Sequence, residues 1–178
     1  MKYPRKYILD TTRLVLREME MSDAPFFFKL NENPNVTRYT GDAAFKNIQE
    51  AEAITKYVIE QYNQFGYGRW MVLEKQTNKP MGWCGLKYHP EENFVDLGYR
   101  FLEEYWGNGY ASEAAQTCLY YGFTKLNLER VVGRVSKDNI ASVKILQKLN
   151  MQPTQNKLFA SESCDLVFEI NKENYIKL

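Results

Sequence analysis

Between a predicted strand and a predicted long helix lies Trp106-Gly107-Asn108-Gly109-Tyr110-Ala111-Ser112, and no other stretch constrains the fold as much. A helix start leaves backbone N–H groups without acceptors and carries a partial positive charge. Glycines let such a backbone come close to a ligand, so the loop suits a phosphate or pyrophosphate. A tight strand-to-helix turn with no ligand satisfies the same residues. The chain has no G-x-x-x-x-G-K-[ST], which excludes a Walker A loop. As a Rossmann fingerprint, Gly107-x-Gly109 requires Gly or Ala at position 112, where Ser112 stands, although Glu129 lies where the ribose-binding acid belongs. The loop also follows helices and a meander instead of opening a βαβ domain. A dinucleotide-binding oxidoreductase is therefore kept only as an alternative.

Around the loop the pattern is mixed. Arg13-Leu14-Val15-Leu16-Arg17, apolar and bounded by polar residues, predicts a first strand. Ser22-Asp23 reads as an N-cap opening a helix through Phe26, Phe27 and Leu30, with Pro25 tolerated in the first turn and Asn33-Pro34 as the stop. The run Phe26-Phe27-Phe28 predicts a core-facing helix with one exposed ring. Asn47 and Glu50 form an approximate capping box for a second helix, whose stripe of Ala51, Ile54, Val58, Gln61, Tyr62 and Phe65 ends at Gly66. Arg69–Glu74, Met81–Tyr88 and Phe94–Leu102 predict an antiparallel meander with short turns. After the glycine loop, Ala111, Ala114, Ala115, Cys118, Leu119, Gly122 and Leu126 recur at helical spacing. Arg130–Ser136 predicts a strand. Ser142, Ile145, Leu146 and Leu149 predict a last helix, capped by Asp138 or Asn139. Asp165–Ile170 closes the sheet, with Met151–Leu158 as a further strand. This order implies a mixed sheet with helices packed on it.

Composition excludes several classes. With 178 residues, 44% of them hydrophobic and 15% aromatic, the chain has the material for a real core and the length of a single domain. A net charge of +1 leaves no electrostatic footprint for nucleic acid or an anionic membrane. His89 is the sole histidine, and Cys84, Cys118 and Cys164 are scattered, so no metal site and no disulfide scaffold is expected. Cys118 and Cys164 are expected as core thiols. Cys84 and His89 sit five apart on one predicted strand and point to opposite faces, which rules out a nucleophile–base pair. The basic start Met1-Lys2-Tyr3-Pro4-Arg5-Lys6 is followed by no apolar segment, and no run approaches the roughly 18–20 residues of a membrane span. A cytoplasmic location is the expectation, with reduced thiols.

The loop belongs to an ordered set of motifs. Thr12-Arg13-Leu14-Val15-Leu16-Arg17 opens it, followed by Gly82-Trp83-Cys84-Gly85-Leu86, Leu97-Gly98-Tyr99, the glycine loop and Asn139-Ile140-Ala141-Ser142. In this order and over residues 12 to 151 the chain resembles the GCN5-related N-acetyltransferases (GNAT), in the branch of the ribosomal-protein N-terminal acetyltransferases. The family's Gln/Arg-x-x-Gly-x-Gly/Ala loop is matched by Trp106–Ala111 except at its first position. Leu149-Asn150-Met151 replaces the usual Leu-Gly-Phe, a mild change because Asn tolerates the left-handed conformation. Leu146 falls where many relatives carry a tyrosine acid, and it has no proton to donate.

The resemblance implies an α/β (α+β) fold, with a mixed, mostly antiparallel sheet of about six to seven strands flanked by about four helices, as one domain over residues 1–178. It implies acetyl-CoA as cosubstrate, no metal, and an amine acceptor, either a peptide N-terminus or a small amine. A non-catalytic acyl-CoA-binding protein is the alternative that Leu146 keeps open. Trp106, Gly107, Asn108, Gly109, Tyr110, Ala111 and Ser112 would hold the pyrophosphate, and the backbone of Leu97, Gly98 and Tyr99 would meet the pantetheine arm and the thioester. Gly98 in a strand interior also fits a tight packing site. Asp96 is expected as base through water, and equally reads as a solvated carboxylate; Glu103, Glu104 and Glu129 are weaker candidates. Ser142 is expected as the acid at the sulfur, and Asn139 as a partner of the pantetheine amides or simply as a helix cap. Tyr39, Tyr67, Trp70 and Trp83 either line the acceptor pocket or pack in the core. The segments Asn33–Lys46 and Pro153–Cys164 are expected to shape that pocket. No nucleic acid or membrane partner is expected, and a homodimer is the common case for soluble homo-oligomers.

Overall fold

The structure is a computed structural model, and it describes residues 7–156, 159 and 164–176. The elements run β1 (Tyr7–Asp10), β2 (Leu14–Arg17), α1 (Ala24–Glu32), α2 (Pro34–Thr37), α3 (Ile48–Phe65), β3 (Arg69–Glu74), β4 (Pro80–His89) and β5 (Phe94–Phe101). Then come α4 (Tyr110–Thr124), β6 (Arg130–Val135), α5 (Ile140–Lys148), β7 (Gln152–Thr154), β8 (Leu166–Asn171) and α6 (Lys172–Ile176). The eight strands form one sheet in the order β1-β2-β3-β4-β5-β6-β8-β7. This is the mixed α/β fold expected, with more strands: β1 and the short β7 complete the two edges. The basic stretch Met1–Lys6 and the end of the predicted Met151–Leu158 strand lie outside the described residues.

Local signals set most boundaries. The Asn47 side chain accepts from the Glu50 N–H at 3.1 Å and so starts α3. Its buried stripe is Ala51, Thr55, Val58, Gln61 and Tyr62, whereas Ile54 faces outward. Asp23 precedes α1 but does not cap it: both of its oxygens receive the buried Arg17 guanidinium at 2.7 Å. Asn33-Pro34 stops α1 and also starts the single-turn α2, with the Asn33 side chain as its cap. None of Phe26, Phe27 and Phe28 is exposed; Phe27 is buried and the other two are half-buried. Asn150 takes a φ of 59°, the left-handed turn expected of it after α5.

Strand alternation then sorts side chains onto two faces. Cys84, Leu86, Leu97 and Tyr99 face α4, where Cys84 and Cys118 lie Sγ to Sγ at 3.5 Å and Trp70 meets Tyr121 edge to face. Trp83, Gly85, Lys87 and His89 of β4, with Arg100, Gly98, Asp96 and Phe94 opposite them on β5, face the side of α1 and α3. Cys164 is half-buried on a cavity wall, not in the core where it was expected. No helix among the described residues is long and apolar enough to cross a membrane.

Candidate active site

One break in the sheet makes the site. Every neighbouring strand pair is antiparallel except β5 and β6, which run parallel and pair only at Asp96 and Val132. Beyond Asp96 the two strands part, so the β6-facing backbone groups of Leu97, Gly98 and Tyr99 have no strand to pair with. Unpaired backbone of this kind needs water or a ligand.

The glycine loop stands at one end of this split. A 3-10 turn over Glu103–Tyr105 leads into Trp106, whose indole N–H donates to the Phe101 carbonyl at 2.9 Å. Gly107 and Gly109 have φ of 77° and 79°, a region where a side chain is strained. Helix α4 starts at Tyr110 with no side chain capping it, so its first N–H groups stay available to an anion. Arg13 braces the loop from β2. Its guanidinium donates to the Asn108 carbonyl at 3.0 Å and to Glu113 at 2.7 Å, and lies 4.4 Å from the Tyr110 ring centre.

At the vertex of the split sits Asp96, 7% exposed. Its carboxylate lies 2.8 Å from Arg69, 3.2 Å from His89 Nε2 and 3.9 Å from Arg134. Burial alone would raise its pKa, but the Arg69 guanidinium, helped by His89 and Arg134, holds the carboxylate well below the usual range. A carboxylate so stabilised is a poor proton acceptor. That geometry counts against the expected role as base, and also against a solvated carboxylate. Gly98 is explained by the same cluster: a Cβ there would lie 2.7 Å from the Arg69 guanidinium carbon. The Arg69 side chain lies over Gly98 and bonds the Gly85 carbonyl at 2.5 Å and the Asp96 carbonyl at 3.1 Å, whereas a Cβ at Gly85 would meet the backbone of Gly68 and Arg69.

On the other arm of the split, Ser142 stands in the first turn of α5. Its N–H is capped by the Asn139 side-chain oxygen at 3.1 Å, so Asn139 is the helix cap. The Ser142 hydroxyl donates to the Tyr99 hydroxyl at 3.0 Å, and that contact bridges β5 to α5 across the opening. Burial pushes the Tyr99 phenol up, so it stays protonated at neutral pH. Leu146 is 2% exposed and packs toward Gly133.

Two cavities meet here. One, of about 280 Å³, is lined by Asp96, Gly98, Tyr99, Asn139 and Ser142 among others. The second, about 570 Å³, lies between α1, α3 and the sheet, and shares Asp42, Arg69, Trp83, Lys87 and Arg100 with the first. Tyr39 and Trp83 line these cavities, whereas Trp70 is core. Glu103 is bound by Asn33 and Asn35 at 3.1–3.2 Å, away from the vertex. The sequence reading missed Arg69, Arg134 and the Tyr99 hydroxyl. Gly98 in a strand interior was the available sign that a side chain lies across it.

A split sheet facing an uncapped helix start offers backbone donors that suit an anionic, chain-like ligand. The comparisons agree: the acetyltransferase (GNAT) domain model matches residues 13–152. The chain is 34% identical over 145 residues to the uncharacterised N-acetyltransferase p20 of Bacillus licheniformis, covering 81% of this chain and 82% of that protein. It is 30% identical over 139 residues to a spermidine N(1)-acetyltransferase of Escherichia coli, covering 75% and 70%. An acetyltransferase structure from Agrobacterium tumefaciens superposes with a TM-score of 0.82 at 25% identity, covering 96% of each chain. The chain belongs to the GNAT family and is an N-acetyltransferase.

Proposed function

We propose that the protein moves an acetyl group from acetyl-CoA to an amine by direct attack in a ternary complex. The observation that carries this reading is the single β5–β6 pair at Asp96 and Val132, with the strands parting toward the uncapped start of α4. When bound, acetyl-CoA supplies an activated acyl group on a thiol leaving group. The N–H groups of Trp106–Ser112 hold its pyrophosphate, helped by the fixed positive end of α4. Unpaired backbone of Leu97, Gly98 and Tyr99 orients the pantetheine arm and presents a donor to the carbonyl oxygen as it becomes negative. Asn139, its oxygen spent on the cap, offers its NH2 group to the arm.

With the Tyr99–Ser142 hydrogen bond reversed, so that the protonated Tyr99 phenol donates to Ser142, the Ser142 hydroxyl would offer a hydrogen bond to the departing sulfur without losing its proton. A thiol pKa of about 8.5 makes this help modest. Asp96, tied to Arg69, serves to position that guanidinium and the β5 backbone around it. With no free carboxylate at the vertex among the described residues, the acceptor must arrive close to deprotonated. An α-amino group, with a pKa of about 7.7–8.0, meets this need, and a lysine at about 10.4 does not. The acceptor is therefore a peptide or protein N-terminus.

Initial rates of CoA release, with acetyl-CoA and a peptide amine varied together, test the reading. Direct attack predicts intersecting double-reciprocal lines. Parallel lines, the mark of a covalent acyl-enzyme, would refute it.

A further inference from the structure

The charges around the two cavities are unevenly paired. Among the described residues the walls carry four fixed cations, Arg69, Lys87, Arg100 and Arg134, against three carboxylates, Asp42, Glu50 and Asp96. Each carboxylate is already engaged. Asp96 holds Arg69, and Asp42 holds Arg100 at 2.7 Å. Glu50 accepts from the Lys46 N–H at 3.0 Å and the Asn47 amide at 3.2 Å, as part of the α3 cap. Asp96 and Asp42 are thus held by cations, and Glu50, bound by neutral N–H groups, lines only the larger cavity.

The cations are less well matched. Arg69 and Arg100 stack on Trp83, 5.4 and 5.5 Å from its ring centre, where the two cavities join, and each already holds a carboxylate. Lys87 stands beside them on β4, shared by both cavities. Its ammonium lies 5.4 Å from the Tyr57 ring, and no carboxylate among the described residues pairs with it. An unpaired ammonium in a partly enclosed cleft attracts an anion and repels a cation. The remaining lining of the larger cavity is apolar, with Phe27, Phe45, Ile54 and Val58.

We infer that the acceptor is a polypeptide N-terminus with acidic side chains close behind its free amine and an apolar residue beside them, and that Lys87 receives the acidic group. This rests on the reading of the site as an amine acetyltransferase. The apolar side chain sits against α1 and α3, the carboxylate at Lys87, and the amine reaches the split at Gly98.

The test uses three amidated peptides, Ala-Glu-Glu-Phe, Ala-Gln-Gln-Phe and Ala-Lys-Lys-Phe, with spermidine as a fourth acceptor. The expected order of kcat/KM is Glu above Gln above Lys, with about tenfold or more between the extremes and spermidine at the bottom. In Lys87→Met the three peptides should converge, and in Lys87→Glu the order should invert, while the KM for acetyl-CoA stays unchanged in both. Equal or faster acetylation of the Lys peptide or of spermidine overturns the inference, as does an order that Lys87→Glu leaves intact. So does failure to acetylate any of the four while CoA still raises the unfolding midpoint. Failure of CoA to raise that midpoint would instead overturn the acetyltransferase reading of the site.

Discussion

Gly109→Val raises the KM for acetyl-CoA by about 100-fold and leaves the KM for the amine within about twofold. The backbone at Gly109 has a φ of 79°, where a β-branched residue costs about 1–3 kcal/mol. The protein itself leaves room, since the nearest atom to an added Cβ is an Arg13 nitrogen at 3.6 Å. The added bulk therefore acts mainly on what approaches from outside, and on the N–H groups that follow. Losing hydrogen bonds to a charged ligand costs about 1.5–3 kcal/mol each. One such loss with part of the strain gives the expected factor, at about 1.4 kcal/mol per tenfold. Steady-state kinetics on both substrates decide it, and the melting temperature of the free variant separates strain from binding. An unchanged KM for acetyl-CoA would remove the loop from the cofactor site.

Asp96→Asn lowers the unfolding midpoint by about 6–20 °C. Removing one partner of a buried ion pair leaves the other uncompensated, at about 3–5 kcal/mol, and each kcal/mol is worth about 2–4 °C at this chain length. Arg69 and Arg134 both lose their carboxylate, so Arg69→Met in the same chain should restore part of the loss. The pH dependence has a definite sign. The folded pKa of Asp96 is depressed, so its stabilisation is fully present above the unfolded value of about 3.9 and is lost as pH falls toward the folded one. The gap between wild type and variant should stay constant from pH 5 to about pH 8 and narrow in acid. Turnover of the surviving folded variant, relative to wild type, should not depend on pH between about 6.5 and 8.5. A relative rate that falls steeply toward low pH would restore Asp96 as the base.

Where the sequence was informative, a backbone requirement lay behind it. Asn47, Gly66, Asn139, Asn150 and the two loop glycines each mark a helix end or a left-handed residue, and such demands are written in single residues. The meander and the last strand were legible because alternation and turn chemistry are local. What escaped was made by contacts between distant segments. Asp96 read as a base because it directly precedes Leu97-Gly98-Tyr99, yet Arg69 and Arg134 reach it from β3 and β6. Tyr99 and Ser142 are joined only because the strands part between them. The β1 edge was missed because Tyr7–Asp10 is short and half exposed, with little apolar pattern to show. Charge balance misled in the same way: a net charge near zero conceals a cleft in which Lys87, shared by both cavities, has no carboxylate partner among the described residues.

Thermal unfolding of the purified protein with acetyl-CoA, CoA, NADH and ATP, each in large excess, tests the central claim most directly. A ligand at about 100 times its Kd stabilises by about 2.7 kcal/mol, which at this length raises the midpoint by roughly 5–10 °C. A rise with acetyl-CoA and CoA and none with NADH is the predicted result. A rise with NADH and none with either CoA species would contradict it.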